Sequence, residues 1–236
     1  MTDNAWVGDI KVLSFDLDDT LWDCAPVITK AEQTLFAWMQ KHAPKTVDQW
    51  ADGALMQRRA QVVSTYPEIA CDMSLLRHKM IELTLVDAGY SDSLVDEAYD
   101  VFYRARSDVT LYPGVESVLD ALSEHYSLAV ITNGNADLSL IGLAEKFAHI
   151  QRASIENAPK PQAQMFEACL NEFHIKPVQL AHIGDNAVTD VGGAQAVGAR
   201  SVWYRQPNEQ WPDSQQRADA EVESLHDIQS LFISET

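Results

Sequence analysis

Asp16, Asp18 and Asp19 arrive together where the first apolar run ends, in Ser14-Phe15-Asp16-Leu17-Asp18-Asp19-Thr20-Leu21. Residues 11–15 read as a short buried strand, and side chains two apart on a strand point the same way, so Asp16 and Asp18 converge on one small volume. Two like charges there repel unless a cation binds or one carboxyl keeps its proton, which suits chemistry better than stability. The plainer alternative is an acidic strand exit in which Asp19 or Thr20 caps the next turn. Other polar groups sit at comparable places. Thr132-Asn133-Gly134 ends a second apolar run, Lys160 stands between two prolines, Asp185 closes the run from Leu180 to Gly184, and Asp190 follows five residues on. Singly, each has an ordinary explanation as a turn, a solvated loop charge or a strand end.

The elements that must position these residues show a change of pattern. Helical spacing of apolar residues predicts helices over about 27–41, 47–64, 74–88 and 91–107, with no convincing strand between Trp22 and Asp108. That span reads as an inserted helical bundle. From Tyr112 strands and helices alternate: helix from Pro113-Gly114 to about 125, strand 127–132, helix 138–147, strand 150–154, helix 163–173, strand 180–185, helix 189–197 and strand 200–204. A polar, turn-rich stretch over 206–219 then leads to a short strand at 221–223 and a helix over 225–233. The fold class expected is α/β: a Rossmann-like core with a parallel sheet and helices on both faces, formed by residues 1–23 and 109–236, with 24–108 as the inserted helical cap. Such sheets bind ligands beyond the carboxyl ends of their strands, where Asp16, Asp18, Thr132 and Asp185 all fall.

Composition excludes several classes. The chain has 236 residues, 46% hydrophobic and 22% charged, as expected of a globular protein with a proper core. Seventeen basic against thirty-five acidic residues give a net charge of −18, which repels nucleic acid and anionic membranes. An anionic small substrate then needs a local cation, either a metal or a well-placed Lys. Cys24, Cys71 and Cys169 have neither disulfide nor zinc spacing, and neither a signal peptide nor a membrane span is apparent, so a cytoplasmic location is expected. No dinucleotide fingerprint, phosphate loop or Gly-x-Ser-x-Gly elbow is present, and His182 reads as a core residue.

Taken in order, Asp16-x-Asp18-x-Thr20, the strand ending Thr132-Asn133, Lys160 and Gly184-Asp185-x4-Asp190 resemble the four signatures of the haloacid dehalogenase-like hydrolase superfamily. The resemblance covers essentially the whole chain, the helical cap included. It implies that Asp16 is a nucleophile forming an aspartyl-phosphate, and that Asp18 acts first as general acid and then as general base. It implies magnesium held by the Asp16 and Asp185 carboxylates and the backbone carbonyl of Asp18. Thr132 and the Asn133 N–H would bind phosphoryl oxygens, with Lys160 offsetting their charge, while Asp190 would orient Lys160 or a metal-bound water. One departure stands beside the metal: many relatives carry a second acid directly after the strand-four Asp, whereas this chain has Asn186.

Asp18 also separates activities within the superfamily. A halide leaves without a proton, an alkoxide does not, so Asp18 favours a phosphatase over a 2-haloacid dehalogenase. Phe15 to Leu21, Pro67-Glu68-Ile69, Ile131 to Asn135 and Thr189 to Gly193 resemble bacterial phosphatases acting on flavin mononucleotide and on the ribitylaminouracil phosphate of riboflavin synthesis. The expected partner is a small phosphate ester, handled by a monomer or weak homodimer. Alternatives are a phosphatase for other nucleotides or sugar phosphates, a phosphomutase, and a noncatalytic binding protein of the same fold. Trp22, Arg58 and Arg77 are the substrate-facing candidates. Trp38, Trp50, Tyr66, Arg59 and His78 are further aromatic and polar choices, and a moving cap is expected to gate access.

Overall fold

In chain order the computed structural model contains β1 (Val12–Phe15), α1 (Cys24–His42), α2 (Ala54–Thr65), α3 (Met73–Asp87), α4 (Val95–Arg106), α5 (Val115–Ser123), β2 (Ser127–Thr132) and α6 (Leu138–Ile141). There follow β3 (His149–Arg152), α7 (Gln164–Glu172), β4 (Leu180–Gly184), α8 (Gly193–Ala196), β5 (Arg200–Tyr204), β6 (Ala220–Val222) and α9 (Leu225–Phe232). It describes residues 4–50, 54–207, 209–212 and 214–233, without the side chains of 48–50, so that of Trp50 lies outside the described residues. Two units divide the chain: Met1–Asp23, Thr110–Gly134 and Gly142–Thr236 form one, and Cys24–Val109 with Asn135–Ile141 the other.

The first unit is built on six parallel strands in the order β3-β2-β1-β4-β5-β6. Every residue of β1 and β4 is buried, as central strands covered on both faces must be. Val12, Ala129, Ile131 and Leu180 pack with Met165, Phe166 and Cys169 of α7 and Ala194 of α8 on one face, while α5 lies against β2 outside that cluster. Strand order reverses direction between β1 and β4, whose register pairs Phe15 with Ile183. This is the switch point at which such sheets bind ligands, and Asp16 and Asp185 leave the sheet there.

The second unit is helical. Ala31, Leu35 and Met39 of α1 pack with Ile81 and Leu85 of α3 and Ala98 and Phe102 of α4. Asp72 caps α3 by accepting from the amides of Ser74 and Leu75, both at 2.9 Å, and Gly89 follows its end at φ +79°. The predicted helix over 47–64 is described on either side of residues 51–53. Pro44, suited to a first turn, starts a 3-10 segment to Trp50, and α2 is described from Ala54. The predicted helix over 138–147 breaks at Gly142, whose φ of +85° is left-handed. Asn135–Ile141, assigned from sequence to the core, groups with the helical unit through bonds from Asn135 Nδ2 to Ser74 Oγ (3.2 Å) and from the Asp137 amide to Ser107 Oγ (2.9 Å). Among the described residues no helix is long and apolar enough to cross a membrane.

Candidate active site

Lys160 is the hinge of the charged cluster at the switch point. Its side chain is 1% exposed; Nζ donates to Asp16 Oδ1 at 2.7 Å and to the Ile131 carbonyl at 2.6 Å, and lies 2.7 Å from Asp190 Oδ1. Three donors therefore meet three acceptors. The Asn133 side chain holds the Lys160 backbone in place, accepting from its amide at 2.8 Å and donating to its carbonyl at 3.1 Å. Thr132 Oγ1 accepts from the Gly134 amide at 3.0 Å, which shapes the turn leaving β2.

Asp190 reaches the cluster because the chain after β4 makes a π-helical turn, Ala187–Gly192, before α8, two residues earlier than the helix start predicted near Thr189. Such turns recur at functional sites because they displace one side chain from the regular helical face. Asn186 caps this turn through Oδ1, which accepts from the amides of Val188 and Thr189, both at 3.0 Å; Asp190 Oδ2 accepts from the Asn186 amide at 2.9 Å. A Cβ on Gly184 would fall 2.4 Å from Asp190 Cγ, so only glycine leaves room for that carboxylate. Asn186 thus has a structural task that an acid could share but that requires no charge.

Below the charges, His182 joins strands β1 and β4: its Nδ1 is 2.9 Å from Ser14 Oγ, and its Nε2 is 3.4 Å from Asp190 Oδ1. Burial, and then the Lys160 charge, push its pKa down to about 4, so the ring is neutral at neutral pH. Sequence reasoning left His182 in the core and omitted Ser14. The available signal was position: Ser14 stands two residues before Asp16 on the same strand and is in register with His182.

Electrostatics follow from counting charges. One buried ammonium faces Asp16 and Asp190, and Asp185 and Asp18 add further negative charge beside them. Burial pushes Asp16 up to about 7, although Lys160 pulls against it, with Asp190 and Asp18 adding repulsion. Asp185 rises to about 8 through burial and then through Asp190 and Asp16. Burial acts on Asp190 in the same direction, yet Lys160 and His182 outweigh it and hold that carboxyl well below its ordinary range. Burial disfavours the Lys160 ammonium, but Asp16 and Asp190 together raise its pKa. The cluster is therefore short of positive charge at Asp16 and Asp185.

Oxygens of Asp16, Asp185 and Asp190 lie within 4.8 Å of one another. Both Asp190 oxygens already accept from protein groups, whereas Asp185 Oδ1 meets the Thr20 hydroxyl at a longer 3.4 Å. An all-oxygen, net-negative and partly buried set of this kind fits a hard divalent cation. Asp16 and Asp185, the two carboxylates whose pKa values burial raises, are the candidates to hold it.

The predicted substrate-facing residues fare differently. Trp22 belongs to the sheet-bearing unit rather than the cap and is fully buried, its Nε1 donating to Asp18 Oδ1 at 2.9 Å. The structure therefore corrects its assignment: its indole orients the second carboxylate instead of stacking on a ligand. Arg58 pairs with Asp87 at 2.8 Å and Arg77 with Glu32 at 2.6 Å, the latter guanidinium also 4.1 Å from the Phe102 ring centre. Both are engaged inside the helical unit.

Comparison with known proteins follows the same outline. A family description, haloacid dehalogenase-like hydrolase, matches residues 10–198. The chain is similar to 5-amino-6-(5-phospho-D-ribitylamino)uracil phosphatase YigB of Escherichia coli K12, 31% identical over 96% of this chain and 98% of that one. It is similar to a phosphoserine phosphatase of Thermus thermophilus, 28% identical over 82% of this chain and 88% of that one. The crystal structure of a 2-haloacid dehalogenase from Pseudomonas syringae pv. tomato DC3000 superposes with a TM-score of 0.88 at 35% identity, covering 94% of this chain and 97% of that one.

Proposed function

The chain belongs to the haloacid dehalogenase-like hydrolase family, and from that premise we propose that it is a magnesium-dependent phosphomonoesterase working through an aspartyl-phosphate on Asp16. The observation that carries the reading is Asp18: a second carboxylate stands two residues from Asp16 with its oxygen held by the buried Trp22 indole. A leaving alkoxide requires such an acid and a leaving halide does not.

Lys160 fixes the Asp16 carboxylate, which attacks phosphorus in line, forming the Asp16 O–P bond as the ester P–O bond breaks. Asp18 gives its proton to the departing oxygen. It then takes one from the water that attacks the phosphorus and releases phosphate, regenerating both carboxyl groups. The Lys160 ammonium and the donors of the Thr132–Asn133 turn offset charge on the transferring phosphoryl oxygens. Bound by Asp16, Asp185 and the Asp18 carbonyl, magnesium would supply the positive charge that the cluster lacks.

Similarity to YigB supports a flavin-pathway ester, ribitylaminouracil phosphate or flavin mononucleotide, as the preferred substrate. The test is phosphate release, with and without magnesium, from those two compounds, nucleotides and sugar phosphates. Fastest release from the flavin-pathway pair is expected, and release mainly from the others would move the substrate while keeping the reaction. The second reading, dehalogenation, is favoured by the dehalogenase structure at 35% identity. Halide release from 2-haloacids without phosphate release from any ester would establish it instead.

A further inference from the structure

The residues with assigned chemistry leave β1, β2 and β4 or the loop before α7, whereas β5 supplies none. Yet the carboxyl end of β5 touches both aspartate-bearing turns. Trp203, 1% exposed and in register with Gly184, donates from Nε1 to the Asp185 carbonyl at 2.5 Å. Three residues on, Gln206 Nε2 donates to the Asp19 carbonyl and stands 3.4 Å from the Tyr112 hydroxyl. Asp19 is at φ +60°, in the left-handed region that Asp enters more readily than most non-glycine residues. Its amide is fixed by the Trp22 carbonyl at 2.8 Å, so Gln206 secures the other side of the same peptide turn.

The connection after β5 supports this contact from behind. Trp211 packs edge-on against Trp203, ring centres 4.9 Å apart at 80°, and donates from Nε1 to the Gln215 carbonyl at 3.0 Å. A stretch that is polar and turn-rich in sequence therefore carries the aromatic residue that seats Trp203. We infer that Trp203 and Gln206 are positioning residues for the proposed phosphatase reaction: Trp203 fixes the Asp185 peptide and with it the cation-holding carboxylate, and Gln206 fixes the turn that presents Asp18. The inference rests on the phosphatase reading. Its basis is that groups behind metal ligands, by fixing their orientation, are worth about 10–100-fold in metal affinity.

The two residues hold different turns, so their loss gives different defects. Magnesium alone is titrated calorimetrically into wild type, Trp203→Phe and Gln206→Ala, and steady-state rates are measured at saturating magnesium. Phenylalanine keeps the buried ring and removes only the N–H, and circular dichroism checks the fold of each variant. Trp203→Phe is expected to weaken magnesium binding by about tenfold. Gln206→Ala is expected to bind magnesium within about twofold of wild type while kcat falls by about tenfold or more with KM little changed. General loosening of the fold would move both quantities in both variants, and that outcome, or magnesium affinity unchanged in Trp203→Phe, overturns the inference while wild-type binding and phosphate release leave the function standing. A wild type that neither binds magnesium nor releases phosphate overturns both.

Discussion

Lys160 in the sheet-bearing unit and Lys30 in the helical unit both pair with aspartate, in opposite surroundings. Lys160, 1% exposed, meets Asp16 and Asp190, which are 12% and 2% exposed; Lys30 and Asp108 are 55% and 65% exposed. Water screens the outer pair and its partners lose side-chain freedom on meeting, so little stability remains. The inner group pays heavily in desolvation, offset only while every partner stays in place. Buried charge of this kind is retained for what it does, and it also perturbs the titration of its neighbours.

Breaking the inner group at its reactive member has the largest expected effect. Asp16→Asn, measured by phosphate release, should lower kcat by at least about ten-thousand-fold, because removing a nucleophile removes the pathway. Lys160→Met comes next: with Asp16 and Asp190 left unpaired, urea unfolding should show a loss of about 3–5 kcal/mol, and activity should fall as well. Retention of full stability would mean that the cluster relaxes by protonation alone.

Titration sharpens the comparison further. Asp16 and Asp185 have folded pKa values near 7 and 8, above their ordinary 3.8, so between pH 4 and 8 the unfolded chain holds fewer protons than the folded one. Metal-free stability should therefore fall as pH rises through that window. Asp190, held below its ordinary value, contributes stability above the unfolded pKa that is lost only as pH falls through its lower folded pKa. Because a cation displaces the protons on Asp16 and Asp185, the rise in melting temperature on adding magnesium should be larger at pH 8 than at pH 5. An equal rise at both would remove these carboxyls from the cation site. The smallest effect belongs to the outer pair: Lys30→Ala should cost less than about 1 kcal/mol in urea unfolding and leave kcat unchanged.

What could be read in the sequence follows the same division. Asp16, Asp18, Lys160 and Asp185 were visible because each is a charged group where an apolar strand or a proline-bound loop leaves no structural need for one. The four inner strands were legible from their largely apolar runs, which central parallel strands require, whereas the edge strands β3 (His149–Arg152) and β6 (Ala220–Val222) carry weaker patterns. Trp22 was misassigned because an indole can be core, ligand platform or hydrogen-bond donor, and only the Asp18 contact decides. Trp203, Gln206 and Ser14 were missed because their importance lies in contacts 18, 187 and 168 residues away in sequence, which local pattern does not encode. Asn135–Ile141 was placed in the core because no change of composition marks where the chain joins the helical unit.

The central claim is covalent catalysis by Asp16 with Asp18 as its proton partner. Asp18→Asn incubated with p-nitrophenyl phosphate tests it most directly, because nitrophenolate leaves without help from an acid whereas hydrolysis of the phosphoenzyme still needs the base. The account predicts a burst of nitrophenolate with about one equivalent per protein, and mass spectrometry placing the phosphoryl group on the peptide containing Asp16. Steady release without a burst and with Asp16 unmodified, or a phosphoryl group on another residue, would contradict it.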